Sequence, residues 1–154
     1  MNILEHIKSF IQEHSIMVLA TAKDNTPYAC TVFYVTQDAN VLYLKSYAVS
    51  LHTQIILENP SVACAIYDKE SSSFGDKIGV QLLGKAHKVT DLEEVTKAAE
   101  LYISTFNSPK EKFYPLENLI KEDAKSSIYR IDVEKVKMLD SRNHIEPTDY
   151  LAMQ

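Results

Sequence analysis

Three stretches rich in β-forming residues follow one another with only four or five residues between them. They are "IMVLATA" (16–22), "YACTVFYVT" (28–36) and "VLYLKS" (41–46), joined by "KDNTP" and "QDAN". Valine, isoleucine, threonine and tyrosine suit a pleated, half-buried surface, and the joining residues are those that turns need. Gaps this short leave no room for a crossover, so the stretches pair antiparallel. A chain that opens on such a meander is committed to an antiparallel sheet.

The rest of the chain is placed around that meander. Residues 3–13 read as an amphipathic helix, with Ile3, Ile7, Phe10 and Ile11 on one face and Asn2 followed by Glu5 as its start. A short helix is expected over Ser50–Glu58, with Leu51, Ile55 and Ile56 as its apolar face, stopped by Asn59-Pro60. "SVACAIYD" (61–68) and "KIGVQLLGKAHKV" (77–89) read as the fourth and fifth strands, and Gly79 and Gly84 mark a bulge or a close backbone approach in the latter. The polar patch "DKESSSFGDK" (68–77) is a loop. Thr90 and Asp91 with Glu93 and Glu94 start a helix whose face is Leu92, Val95, Ala98, Ala99, Tyr102, Ile103 and Phe106. Pro109 ends it, and 110–123 read as a second helical piece. A sixth strand lies within 126–141, and the tail from Arg142 is ambiguous.

This order is mainly β with peripheral helices, in a single domain spanning 1–154 with a helical insertion around 91–123. Strands separated by short turns favour a small closed sheet with helices at its rim. Helices and strands do not alternate, so a doubly wound parallel sheet is disfavoured.

The composition excludes several function classes. A formal net charge of −5 and the lack of a basic run argue against nucleic-acid binding. The N-terminus carries Glu5, Lys8 and Glu13 among its apolar residues, unlike a secretory signal, and no run of about 18 apolar residues offers a membrane span. The expected location is therefore cytoplasmic. Cys30 and Cys64 form no CxxC pattern and read as reduced core residues. The five histidines show no metal-ligand spacing. Nucleophile elbow, P-loop and GxGxxG are all missing.

One stretch remains: "LYLKSYAVSLHTQIILENPSVACAIYD" (42–68). A strand ends in Lys45-Ser46, and a helix opens a few residues later with Ser50-Leu51-His52-Thr53. Hydroxyls and a cation beside a helix start make a place to hold an anion, because the first N–H groups there are unpaired and the dipole is positive.

Taken with "LATAKDNTPYACTVFYV", "GVQLLGKAHKV" and "YRIDVEKVKML", that stretch resembles the flavin-binding split-barrel superfamily typified by pyridoxamine 5′-phosphate oxidase, over most of residues 16–140. The resemblance implies a six-stranded antiparallel split β-barrel and FMN held in a cleft between the subunits of a homodimer. It implies that Ser50, Leu51, His52 and Thr53 surround the flavin phosphate. Thr31, Val32 and Phe33 would lie along the polar edge of the ring, with Lys45, Ser46 and Gln81 beside it. Each has a plainer alternative: Ser50 as a helix cap, His52 as a solvated side chain, Gln81 as a water-facing residue of the sheet. The strand tyrosines Tyr28, Tyr34, Tyr43 and Tyr67 read as packing or dimer-interface residues.

The chain departs from the family where the oxidase carries basic residues. Leu51 and His52 stand in place of an Arg-Lys pair, and Cys30 and Val35 in place of an Arg and a Lys. Bidentate guanidinium contacts are the strong ones for phosphate, so Lys45, or Arg130, Arg142 or His144 from the C-terminal part, must compensate. The resemblance implies an FMN-dependent oxidoreductase acting on a small molecule, and vitamin B6 phosphate oxidation is disfavoured. The alternatives are a flavin- or haem-binding sensor or carrier without turnover, and a structural dimer without a ligand.

Overall fold

The computed structural model describes residues 2–71, 75–146 and 149–153. Among them, eight strands form one antiparallel sheet: β1 (Ile16–Lys23), β2 (Thr26–Phe33), β3 (Val35–Thr36), β4 (Val41–Tyr47), β5 (Ser61–Tyr67), β6 (Ile78–Lys88), β7 (Ser126–Asp140) and β8 (Leu151–Ala152). Their spatial order is β2-β1-β5-β6-β7-β4-β3, with β8 beside β7. The first and last strands of that order, β2 and β3, are separated in the chain by Tyr34 alone. A sheet whose edges are one residue apart cannot lie flat, so it curls until they meet. This is the split barrel that the sequence implies.

Two details differ from the sequence reading. The expected strand 28–36 is broken at Tyr34, because that side chain is fully buried and its hydroxyl donates to the Ile11 carbonyl at 2.7 Å. Its N–H stays on the β1 side and donates to the Ser15 carbonyl at 2.9 Å, one position beyond the Ile16–Phe33 pair. The tail adds the two-residue β8, so eight strands stand where six were expected. Residues 72–74 of the expected loop, and 147–148 and 154 of the tail, lie outside the described residues.

The turns follow their residues. Asp24 and Asn25 take φ of 50° and 63°, and this two-residue turn matches the twist of β1 and β2. Between β6 and β7 the register shifts at Leu83/Gly84. A Cβ on Gly84 would lie 2.4 Å from the Asp132 carbonyl oxygen, so the close approach expected of this glycine is real.

Helix α1 (Ile3–Glu13) closes one end of the barrel with Ile7, Phe10 and Ile11 buried, and Asn2 caps it through Glu5 N–H. Ile3, expected on that face, is largely exposed because it precedes the first buried turn. The barrel interior includes Met17, Leu19, Leu42, Leu44, Val80, Leu82, Ile131 and Val136. Cys30 and Cys64 both pair with Leu19, from opposite sides. Two strand spacings, about 9–10 Å, separate them, beyond the roughly 7 Å reach of a disulfide. Both thiols are free, and burial raises their pKa values, that of Cys64 to about 12.

Helix α3 (Leu92–Phe106) starts at Asp91, whose carboxylate accepts from Glu94 N–H, and ends at Asn107 in the left-handed region. Val95, Ala98, Ala99 and Tyr102 face a second cluster containing Tyr43 and Ile128. Leu92 is exposed rather than part of that face. The helical piece expected over 110–123 is instead a 3-10 turn at Lys110–Lys112 and a short α4 (Glu117–Ile120), with Pro115 between them. No described helix is long and apolar enough to cross a membrane.

Candidate functional site

The barrel is split where β3 ends. In the β3–β4 register Val35 faces Tyr43 and Thr36 faces Leu42, so continuing it outward would set Tyr34 opposite Leu44 and then Phe33 opposite Lys45. That ladder bond is not made. The Tyr102 hydroxyl stands between the two strands instead: it accepts from the Lys45 N–H at 2.9 Å and reaches the Phe33 carbonyl at 3.4 Å. Burial raises the Tyr102 pKa and keeps the phenol protonated, as a donor to Phe33 requires.

A cleft of about 420 Å³ opens at this split. One wall is a run of aromatic rings: Phe33 against Phe106 at 5.4 Å, Phe106 against Tyr102 at 5.6 Å, and Tyr102 against Phe113 at 5.6 Å. The other side carries Lys45, Ser46, Tyr47 and Ser126, and the rim carries Ser108 and Lys112. Among the described residues, no carboxylate lines it. The Lys45 ammonium sits 5.6 Å from the Phe113 ring and 5.9 Å from the Tyr47 ring. Burial lowers its pKa, and the charge on Lys112 lowers it further.

Ser46 is buried, and its hydroxyl shares a 2.9 Å hydrogen bond with Nε2 of His52. His52 belongs to α2 (Leu51–Glu58), whose N-cap Ser50 makes no side-chain capping bond. The first N–H groups of α2 are therefore left for another acceptor. Burial pushes the His52 pKa below its ordinary value, so near neutral pH the ring is uncharged.

The residues singled out in the sequence are thus distributed unevenly. Phe33, Lys45 and Ser46 line the cleft, and His52 adjoins it through Ser46. Leu51 is exposed rather than part of an apolar helix face, and Thr53 is buried in its place. The Thr53 hydroxyl has no hydrogen-bond partner and lies toward a second hollow shared with Lys88, Thr90 and Tyr129. Val32 is half-buried against the barrel core. Thr31 and Gln81 lie in one cross-strand row with Val18, Ala65 and Lys137, away from the lining of the cleft.

The proposed compensating groups lie elsewhere. Arg130 is held by Glu94 and Asp132, and Tyr43 donates to the same Glu94 at 2.7 Å. Arg142 faces Asp76 at 3.8 Å, and His144 sits in a left-handed turn. Neither lines the cleft. Sequence reasoning missed Tyr47, Tyr102, Phe106, Lys112 and Phe113. Tyr102 and Phe106 stand four apart on the helix stripe, a spacing that reads as core until the split is known. Among the described residues no three His, Cys, Asp or Glu side chains gather as a metal site.

Comparison with known proteins follows this geometry. The family model for pyridoxamine 5′-phosphate oxidase matches residues 3–140. No curated protein sequence matches the chain. Among solved structures, general stress protein 26 of Bacillus anthracis superposes with a TM-score of 0.67 at 21% identity, covering 99% of both chains. A FAD-binding protein of Mesorhizobium loti gives 0.67 at 19% identity, over 88% of this chain and 90% of that one. A haem binding protein of Mycobacterium smegmatis gives 0.75 at 18% identity, over 94% of this chain but 57% of its own. At these identities the likeness is one of fold.

Proposed function

The chain belongs to the pyridoxamine 5′-phosphate oxidase family, and from that premise we propose that it is a homodimeric, FMN-dependent oxidoreductase with its flavin at the split of the barrel. The observation that carries this reading is the cleft itself: aromatic walls, two lysines, two serines of β4 and β7, and no carboxylate. A planar conjugated ring with an anionic tail is the ligand such a lining fits. Bound flavin supplies hydride or electron transfer, and the chain supplies position and a shielded ring environment.

The residues fit the group with one change from the family pattern. Permanent positive charge is sparse near α2, because Leu51 and an uncharged His52 stand where the oxidase has Arg-Lys. The phosphate is then held by the uncapped N–H groups of α2, by the Ser50 hydroxyl and by Lys45, not by a guanidinium fork. Affinity should be weaker and less salt-sensitive than in the basic relatives, because fewer charges contact the phosphate.

The dimer has a surface to use. On the outer face of β1, β5 and β6, Val18, Ala20, Ala63, Ala65 and Leu83 form a half-exposed apolar patch, flanked by exposed Ile16 and Phe33. Phe33 lines the cleft as well, so a partner seated on that face would border the ligand.

The test is the visible spectrum of the purified protein, before and after addition of FMN and removal of the unbound fraction. Flavin absorbance at about 450 nm should persist, and should be lost in Lys45→Ala/Ser50→Ala. No retained flavin overturns the reading. A Soret band would instead favour haem, the second reading, which rests on the same aromatic lining and on the haem-binding fold neighbour.

A further inference from the structure

Lys45 is placed unlike the other lysines of the cleft region. It sits mid-strand in β4, half-buried, with its ammonium between the rings of Tyr47 and Phe113. Among the described residues it makes no ion pair, and the cleft around it holds no carboxylate. The charge that acts on it is a second cation, Lys112 on the rim. Lysines desolvated in an apolar pocket beside another cation are the ones that act as nucleophiles, because both effects favour the neutral amine. The ring faces oppose this by stabilising the ammonium, but at 5.6–5.9 Å they stand at the limit of useful cation–π contact.

We propose that Lys45 is a nucleophilic amine that condenses inside the cleft with a small conjugated aldehyde or ketone bearing an acidic group. The aromatic wall takes the conjugated body, and Lys112 faces the acidic group. The amine lone pair forms the C–N bond to the carbonyl carbon. The C–O bond then breaks, and the oxygen leaves as water carrying both amine hydrogens, so an imine forms with no oxidant or reductant. The Ser46 hydroxyl, hydrogen-bonded to His52, lines the same cleft and can pass the proton that the leaving oxygen needs. This chemistry goes beyond flavin binding and does not need it.

The experiment is competitive trapping on the full chain near neutral pH. The protein is exposed to limiting 4-carboxybenzaldehyde with cyanoborohydride, and modified lysines are located by peptide mapping. Lys45 should be labelled first and at least about tenfold faster than exposed lysines, because an amine desolvated beside another cation is more often neutral. Label spread over the surface lysines with Lys45 no faster overturns the proposal. Benzaldehyde, which lacks the acidic group, should label Lys45 more slowly; an equal rate overturns the role of Lys112. Preloading with FMN separates the two readings. Protection of Lys45 supports both. Retained FMN with no labelling of Lys45 in the unloaded protein sinks the amine and leaves the flavin site. Full labelling beneath retained FMN keeps the amine and moves the flavin elsewhere.

Discussion

Asp140 shows how one side chain ties the ends of the chain together. It closes β7, is almost fully buried, and accepts from His6 of α1 at 2.9 Å and from the Asn143 amide at 2.8 Å. Two backbone N–H groups, of Arg142 and Asn143, also point at it. Burial alone would raise its pKa, but the bonds from His6 and Asn143 hold it below the ordinary 3.8. A folded-state pKa that is lowered gives stability that is complete above 3.8 and lost as pH falls through the lower folded value. Asp140→Asn should therefore cost about 1.5–3 kcal/mol near neutral pH. Its deficit against the parent should shrink in acid, as read by urea unfolding at pH 7 and below pH 3.8. An equal deficit at both would show that the charge is irrelevant. His6, Asp140 and Asn143 are all plain in the sequence, but nothing local joins residues 6 and 140, so the cluster was not legible there.

Helix α3 is an element read almost correctly from its residues and yet misjudged in its role. Its start at Asp91, its stripe and its end before Pro109 follow from capping and from the 3.6-residue period. What the period does not tell is that Tyr102 faces the gap in the sheet and not a filled core. There its hydroxyl serves two strands that cannot reach each other. Tyr102→Phe removes that bridge and leaves the Lys45 N–H and the Phe33 carbonyl facing an apolar ring. The expected cost is about 1–3 kcal/mol, with the amide of Lys45 among those whose hydrogen exchange speeds up most. Unchanged exchange at Lys45 would show that the gap closes without the phenol. The sequence suggests a second helical piece over 110–123. It is two short turns because Phe113, Leu116 and Leu119 must each reach the cluster beneath α3.

For the molecule as a whole, the question is what covers the outer face of β1, β5 and β6. A two-fold pairing of that face would bury the same residues on both copies and give two equivalent clefts. Ala63 lies near its middle, paired with Ala20 and Leu83. If the proposed dimer forms through this face, Ala63→Arg should leave the circular dichroism of the fold intact and give a monomer in sedimentation where the parent gives a dimer, with loss of the proposed FMN binding. A parent protein that sediments as a monomer would remove the dimer and with it the shared cleft.

The sequence by itself determined the parts whose causes are local. The strands, the Asp24–Asn25 turn, the caps at Asn2 and Asp91 and the stop at Asn59-Pro60 each depend on residues within a few positions of one another. The family resemblance pointed to Lys45, Ser46 and the start of α2 for the same reason, as one continuous stretch. Only the tertiary structure decided which edges meet. That meeting follows from the curl of the sheet about Tyr34, and it sets the rest: the missing Phe33–Lys45 bond, the phenol that bridges it, and the aromatic rings around an unpaired ammonium. Which groups share a cleft depends on long-range strand order and burial, and these are properties of the assembled sheet that no short window of sequence contains.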